Sequence, residues 1–322
     1  MTEGSTPRFT VRTAADMADL HPGVDDDATP LAKATEHSLM AREQHRNAAP
    51  ASRPDRTRVF VVANQKGGVG KTTSSVNIAA GLAQLGQRVL VIDLDPQGNA
   101  STALNIDHHR GVPGTYEALV DGAALADLVV ECPDVPRLSV VPATIDLAGA
   151  EIDLVSVVAR EGRLRKAVQG HPLVGSAEEI GDDRYDYVVI DCPPSLGLLT
   201  INALVASQEM LIPIQAEYYA LEGLSQLLAT VDLVKADLNP ALHVSTILVT
   251  MYDGRTRLAS GVAEDVRAHF GDQVLKTMIP RSVRVSEAPS YGQTVMTYDP
   301  GSPGALSYLE AAREIVTRGA RR

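Results

Sequence analysis

A glycine-rich segment between residues 64 and 73, NQKGGVGKTT, contains the residue types that bind a phosphate group. Glycines let backbone N–H groups converge on an anion, and a following lysine and threonine are suited to terminal phosphates and Mg²⁺. The segment matches the phosphate-binding pattern G-x-x-x-x-G-K-[ST] except at its first position, where Gln65 replaces glycine. A second lysine, Lys66, stands five residues before Lys71, and the pattern assigns no role to it.

This segment predicts a site that binds ATP together with Mg²⁺. Lys71 is expected to reach the β- and γ-phosphates, and the Thr72 hydroxyl is expected to ligate the metal ion. The alternative is a tight glycine turn with solvated lysines, but the strand and helix patterns on either side favour a nucleotide site. The predicted contacts within the segment are Gly67, Gly68, Val69, Gly70, Lys71, Thr72 and Thr73.

Two further segments place carboxylates at the ends of predicted strands. Asp93 ends the strand in VLVIDLDPQGN and Asp95 follows two residues later, while Asp191 ends the strand in YDYVVIDCPPSLG. Ligands of an open parallel sheet lie beyond the carboxyl ends of its strands, where all three carboxylates are expected. Asp191 is predicted to hold Mg²⁺ through water, and Asp95 to lie near the metal and orient the attacking water. The alternative is that these aspartates only solubilise the strand ends.

Apolar runs that alternate with helical patterns predict the elements that position these residues. Helical patterns include one over residues 148–168 and a last one over residues 304–318. Strands that are apolar nearly throughout and alternate with helices are typical of a parallel sheet covered on both faces. We therefore predict an α/β fold with a mostly parallel, twisted sheet. Its candidate strands are RVFVVAN (58–64), RVLVID (88–93), LSVVP (138–142), YDYVVID (185–191), EMLIPI (209–214) and HVSTILVTM (243–251).

Composition excludes several classes of protein. With 322 residues, 44% of them hydrophobic, the chain can form one large α/β domain with an appendage. It contains neither an apolar run that could span a bilayer nor the apolar core of a signal peptide, so we expect a cytoplasmic protein. Two cysteines, Cys132 and Cys192, are too few for a disulfide framework, and they are expected to be buried, inert thiols.

The charge is distributed unevenly along the chain. The net charge of −11 argues against a nucleic-acid partner when it is taken alone. Residues 58–244 carry 12 Lys and Arg against 23 Asp and Glu, whereas residues 245–322 carry 10 against 8. The acidity therefore lies in the middle, and the last quarter of the chain retains the capacity to bind an anion.

The first 57 residues differ in composition from the rest of the chain. They are rich in Ala, Thr, Asp, His and Arg and contain hardly an aromatic residue, so we predict a disordered tail before a domain that begins at Arg58 and extends to the C-terminus. Thr29-Pro30 resembles a helix start, and residues 31–46 could form a short helix that binds a partner. The segment His171–Asp183 is predicted to be a surface loop.

Taken together, these residues resemble the ParA family of chromosome and plasmid partition ATPases, P-loop proteins with the deviant motif KGGxGK[ST]. The resemblance covers the chain from about Arg58 onward, and KGGVGKTT by itself indicates only the wider group. The segments that carry the resemblance are KGGVGKTT (66–73), DLDPQGN (93–99), PATIDLAGAE (142–151), DCPPSLGLLT (191–200), PIQAEYYALEGL (213–224) and IPRSVRVSEAPSYG (279–292).

The resemblance implies a role for Lys66 and a set of partners. ATP-bound copies would form a homodimer in which Lys66 contacts the nucleotide of the facing subunit, as an arginine finger does. Catalysis would then use Lys66, Lys71 and Asp95. The dimer would bind double-stranded DNA nonspecifically through Arg255, Arg281 and Arg284, and it would be nucleoid-associated. A ParB-type centromere-binding protein would stimulate hydrolysis and release the dimer from DNA.

Other proteins with the same nucleotide cycle provide the alternative functions. A MinD-like membrane ATPase would need a broad apolar face at its C-terminus, where only Ile315 and Val316 are clearly apolar, so no stable membrane anchoring is expected. A protein like the nitrogenase iron protein would need two cysteines at the dimer axis. A ligase resembling dethiobiotin synthetase would need a substrate pocket, of which the sequence gives no sign. The arginines could instead cap helices or pair with Asp253 and Glu287.

Overall fold

The computed structural model of the protein describes residues 52–217 and 220–319, except for the side chains of residues 220–223. The helix predicted within residues 31–46, and most of the predicted tail, lie outside these residues.

A single seven-stranded sheet forms the centre of the described residues. Its order is β3-β4-β2-β5-β1-β6-β7, and all neighbouring pairs are parallel except β3 with β4. The predicted parallel sheet is confirmed. The antiparallel edge strand β3 is not predicted by the sequence because its two residues are both exposed and form no apolar run. The strands are β1 (Arg58–Val62), β2 (Val89–Asp93), β3 (Val130–Glu131), β4 (Leu138–Val141), β5 (Tyr187–Asp191), β6 (Glu209–Gln215) and β7 (His243–Thr250).

Helices cover both faces of the sheet. Successive residues of β1 alternate between two buried apolar clusters, with Val59 and Val61 in one and Phe60 and Val62 in the other. Since side chains of a strand point alternately to opposite faces, the core has two layers. The α-helices are α1 (Lys71–Gln84), α2 (Asn99–Ala103), α3 (Leu147–Asp153), α4 (Arg163–Gln169), α5 (Ala177–Ile180), α6 (Leu198–Ala206), α7 (Ala220–Asp237), α8 (Arg257–Phe270), α9 (Val283–Glu287), α10 (Val295–Tyr298) and α11 (Pro303–Gly319).

Two predicted features differ in detail from the structure. The single helical pattern over 148–168 is interrupted between α3 and α4, where Ala159 has a left-handed φ of 55°. Val155 and Val158 are 65% and 90% exposed in this interruption. The predicted surface loop His171–Asp183 contains the short helix α5, which begins with a capping box between Ser176 and Glu179.

A buried carboxylate fastens the residues that precede β1 to the domain. Asp186 is fully buried and accepts a hydrogen bond from the Arg53 side chain at 2.9 Å and one from the Arg88 backbone N–H at 2.8 Å. It also forms an ion pair with Arg184, which is 3% exposed. The ordered contacts of the domain therefore extend before Arg58, the predicted boundary.

Removal of this carboxylate is expected to destabilise the domain. Asp186→Ala would leave the buried Arg184 guanidinium unpaired, and we expect a loss of about 3 kcal/mol in the free energy of unfolding, measured by urea denaturation. Asp182 also pairs with Arg53 but is fully exposed, so Asp182→Ala is the matched control and should leave the unfolding midpoint unchanged. Equal midpoints for the two variants would contradict a structural role for Asp186.

Candidate nucleotide-binding site

The glycine-rich loop connects β1 to α1, as its sequence predicts. Gly68 and Gly70 have φ angles of 75° and 87°, a left-handed conformation that other residues adopt only with strain. A Cβ atom added at Gly67 or Gly68 would meet nothing within 4 Å, so the backbone there is open to a ligand. Because the loop precedes the N-terminus of a 14-residue helix, its N–H groups and the helix end are available to phosphates.

Hydrogen bonds to the neighbouring strands β6 and β7 fix the two ends of this loop. The Asn64 side chain donates to the Pro213 carbonyl oxygen at 2.8 Å and accepts from the Lys66 backbone N–H at 3.1 Å. At the other end, the buried Thr250 hydroxyl donates to the Val69 carbonyl oxygen at 2.8 Å. The sequence analysis did not assign a role to Asn64 or Thr250, whose only signal is that they are the last and the last but one residue of predicted strands.

The structure brings Lys71, Asp95 and Asp191 to the same edge of the sheet, as predicted. Lys71 is buried, and its Nζ donates to the Lys66 carbonyl oxygen at 3.2 Å. Burial lowers the pKa of Lys71, while the charges of Asp191 and Asp95 act in the opposite direction because both carboxylates lie nearby. A buried cation among carboxylates at a helix N-terminus is suited to neutralise a polyphosphate.

Asp93 has a structural role that the sequence analysis did not assign. Its carboxylate accepts hydrogen bonds from the Ser101 N–H and hydroxyl at 2.8 and 2.7 Å, and from the Asp95 N–H at 3.1 Å. Asp95 in turn accepts from the Gln97 N–H at 3.0 Å. Asp93 thus shapes the turn after β2 that carries Asp95.

Asp191 and Thr72 fit the prediction of a magnesium site. Asp191 is fully buried opposite Asp93 in the β2–β5 register, and burial, followed by the charge of Asp93, raises the pKa of Asp191. The Thr72 hydroxyl acts in the opposite direction, which places it beside the same carboxyl group. Among the described residues, Asp191 Oδ2 has no hydrogen-bond partner. Such an oxygen suits a metal-bound water, since Mg²⁺ is usually held by one or two carboxylates together with waters and substrate phosphates.

Lys66 forms an ion pair with a residue outside the phosphate loop that contains it. Its Nζ lies 2.8 Å from Glu217 Oε2, and the two side chains are 39% and 45% exposed. Glu217 follows the end of β6 and also accepts from the Gln215 side chain. Lys66, to which the phosphate pattern assigns no role, is therefore paired at the surface with a carboxylate of its own chain. An exposed pair of this kind contributes little to stability.

The three predicted DNA-binding arginines lie on two adjacent segments. Tyr252 pairs with Pro280 in a parallel bridge, and the Arg281 N–H donates to the Tyr252 carbonyl oxygen at 3.1 Å. Arg255 is paired with Asp253 at 2.8 Å, and Arg284 lies 3.2 Å from Glu287 and 3.6 Å from Asp299. Arg281 is exposed and forms no ion pair within the described part of the chain.

Both cysteines are buried free thiols, as predicted. Burial raises the pKa of Cys132 and raises that of Cys192 well above its ordinary value. Neither thiol is therefore activated as a nucleophile.

The sheet order, the deviant phosphate loop and the strand-end aspartates define a P-loop ATPase. A family model described as an AAA domain matches residues 57–244. The Bacillus subtilis sporulation initiation inhibitor protein Soj is 52% identical over 81% of this chain and 99% of its own length. The Caulobacter vibrioides chromosome partitioning protein ParA is 47% identical over 81% of this chain and 94% of its own length. The chain belongs to the ParA/Soj family of chromosome-partitioning ATPases.

Solved structures agree with this fold and with a site for nucleotide and magnesium. A Mycobacterium smegmatis protein described as cobyrinic acid a,c-diamide synthase, with bound ADP and magnesium, has a TM-score of 0.65 and 38% identity, and the match covers 80% of this chain and 92% of that protein. The Pyrococcus horikoshii septum site-determining protein MinD, complexed with Mg-ADP, has a TM-score of 0.61 and 23% identity, and the match covers 80% of this chain and 96% of that protein, which supports the fold alone.

The name of the Mycobacterium smegmatis structure denotes a chemistry different from that of the partition proteins. Its identity to this chain, 38%, is lower than the 52% and 47% of the Soj and ParA relatives, which match a comparable share of the chain. The family assignment therefore rests on the partition proteins.

Proposed function

We propose that this protein is an ATP-dependent DNA-partitioning ATPase that dimerises when it binds ATP. The observation that carries the proposal is the position of Lys66. The phosphate site already has a buried lysine, Lys71, while Lys66 lies at the surface beside Glu217. A partly exposed lysine next to the phosphate loop can reach a nucleotide bound to a second copy of the chain.

In this proposal ATP is part of the dimer interface. Lys66 of each copy leaves Glu217 and neutralises charge on the γ-phosphate of the facing copy, a position that Lys71 of that copy does not cover. Mg²⁺, held by Thr72 and through water by Asp191, would supply further neutralisation of the phosphate charge. Asp95 orients the attacking water. Hydrolysis removes the shared anion, and the dimer dissociates.

Dimerisation would also explain how an acidic chain binds DNA only in its ATP state. Arg255, Arg281 and Arg284 would contact phosphates without reading the base sequence, and each occurs twice in a dimer. The carboxylates beside Arg255 and Arg284 compete with DNA phosphates for those two arginines. Arg281 interacts with the charge of Asp253 but forms no ion pair within the described residues, so we expect it to contribute most to affinity.

The arginine assignment predicts a specific change in salt dependence. Arg281→Ala removes two phosphate contacts per dimer, so the slope of log K against log salt should become shallower by about 1.8. The measurement is a titration of unrelated DNA fragments across a salt series with a non-hydrolysable ATP analogue. Arg88→Ala is the matched control, because Arg88 is a partly exposed arginine that precedes β2, at the opposite edge of the sheet.

The remaining arginines complete this test. Arg255→Ala and Arg284→Ala should reduce the slope by a similar amount but reduce affinity less than Arg281→Ala does. Unchanged slopes in all three variants would mean that DNA is bound elsewhere on the chain or not at all.

The second part of the proposed cycle is the release of the ATPase dimer from DNA. A ParB-type protein bound at a centromere-like sequence stimulates hydrolysis, and the centromere complex follows the receding edge of the DNA-bound ATPase. The proposed location is accordingly the nucleoid.

A MinD-like membrane ATPase is the alternative function. None of the described helices is long and apolar enough to cross a membrane. In α11, Ile315 and Val316 are 1% and 3% exposed, so the apolar residues that the sequence offers near its C-terminus are already buried in the core. These two side chains are therefore not available to insert into a bilayer, and this observation favours DNA as the surface that the dimer binds.

One experiment separates these functions. Size-exclusion chromatography with ADP or a non-hydrolysable ATP analogue, with plasmid DNA or with anionic lipid vesicles, should give a dimer only with the analogue, and this dimer should elute with DNA. Co-elution with vesicles but not with DNA would support the membrane alternative, and a monomer under all conditions would contradict the proposal.

A further inference from the structure

Ser75 is a buried hydroxyl that lies outside the phosphate-binding pattern yet contacts the predicted magnesium carboxylate. It lies in α1, one helical turn after Lys71, and its side chain is inaccessible to solvent. Its Oγ is 2.7 Å from Asp191 Oδ1 and 3.1 Å from the Lys71 carbonyl oxygen. A hydroxyl has one proton, and the shorter bond to a charged acceptor is the stronger of the two. Ser75 therefore donates to Asp191.

This hydrogen bond makes the two oxygens of Asp191 unequal. Oδ1 has a hydrogen-bond donor, whereas Oδ2 is buried without a partner among the described residues. A carboxylate with one oxygen bound cannot rotate about its Cβ–Cγ bond without losing that contact. The oxygen without a partner, Oδ2, therefore belongs to a carboxyl group that also lies beside Thr72.

We infer that Ser75 is a positioning residue for Mg²⁺. By donating to Oδ1 it fixes the orientation of Asp191 and leaves Oδ2 to accept a hydrogen bond from a metal-bound water. Partners that orient metal-binding carboxylates in this way commonly affect metal affinity by 10- to 100-fold. Ser75 itself lies one turn into α1 and is therefore not part of the loop that surrounds the phosphates. The inference rests on the proposed nucleotide site, and it adds a residue that the phosphate pattern does not contain.

The adjacent residue provides a matched control. Ser74 is equally buried in α1, but its hydroxyl lies 3.4 Å from the Tyr308 hydroxyl in the core and makes no contact with Asp191. Ser74→Ala and Ser75→Ala therefore remove the same atom from adjacent residues of one helix, and only the second variant removes the donor to Asp191.

The test measures ADP binding by calorimetry in Mg²⁺ and in EDTA. In the wild-type protein Mg²⁺ should tighten ADP binding. Ser75→Ala should raise the Mg²⁺ concentration required for this tightening by about 10-fold and leave ADP affinity in EDTA unchanged. Ser74→Ala should behave as the wild type, and Ser75→Thr, which keeps the hydroxyl, should restore most of the Mg²⁺ effect.

Each other outcome identifies what has failed. If Ser75→Ala has the wild-type Mg²⁺ requirement, or loses affinity equally in EDTA, Ser75 does not position the metal site. If Ser75→Thr does not restore the Mg²⁺ effect, the hydroxyl is not the relevant group and the inference is overturned. A wild-type protein whose ADP affinity is the same in Mg²⁺ and in EDTA would instead contradict the proposed nucleotide site.

Discussion

Lys66→Ala is expected to bind ATP but to hydrolyse it at least about 100-fold more slowly than the wild type, because a cation that acts across an interface on a phosphoryl transfer contributes about 10³-fold or more. Lys71 and the loop N–H groups would still hold the nucleotide. The measurement combines ATP affinity with phosphate release at saturating ATP. Lys276→Ala, which removes an exposed lysine next to α11, is the control and should have wild-type activity.

A mixing experiment tests whether Lys66 acts in the facing subunit. In a heterodimer of Lys66→Ala and Asp95→Ala chains, the site with an intact Asp95 receives Lys66 from the other chain, so mixing two inactive proteins should restore activity. If Lys66 acted within its own chain, neither site would be complete and the mixture would stay inactive. Turnover of Lys66→Ala alone within about threefold of the wild type would also disprove the proposed role.

Asp95→Ala is expected to separate dimerisation from hydrolysis. Asp95 is proposed to orient water, a role that matters in the transition state and not in holding ATP, so turnover should fall by about 10²- to 10⁴-fold. The variant should accumulate as an ATP-bound dimer that remains on DNA. Light scattering and DNA co-elution with ATP measure this state, and the wild type should lose it as ATP is consumed.

The control for Asp95→Ala is Asp127→Ala, which removes an exposed aspartate from the segment between β2 and β3. It should hydrolyse ATP as the wild type does. If Asp95→Ala remains monomeric with ATP, then Asp95 is an interface or structural residue, which its hydrogen bond from the Gln97 N–H would permit.

The parts of the site that adjoin one another in sequence could be predicted without a structure. The loop at 64–73 contains its own glycines, lysine and threonine, and the strand before it and the helix after it are encoded by local apolar patterns. Asp93 and Asp191 each end an apolar run, and parallel strands place such ends at one edge of the sheet. These local signals were sufficient for the α/β class, the nucleotide site and the family resemblance.

Contacts between residues distant in sequence could not be predicted in this way. Ser75 and Asp191 are 116 positions apart, and Lys66 and Glu217 are 151 apart, so no local pattern relates the members of either pair. Interruption of the helix predicted over 148–168 likewise depends on which side chains find a core to bury in, and Val155 and Val158 do not.

The sequence by itself thus determined the chemistry that each segment can perform, because phosphate binding needs a short run of backbone with the correct residue types. Only the tertiary structure decided which groups act together. It placed the Ser75 hydroxyl beside Asp191 and the Glu217 carboxylate beside Lys66. The physical reason is that hydrogen bonds and ion pairs depend on distances of about 3 Å, and the order of strands in the sheet sets those distances between residues far apart in the chain.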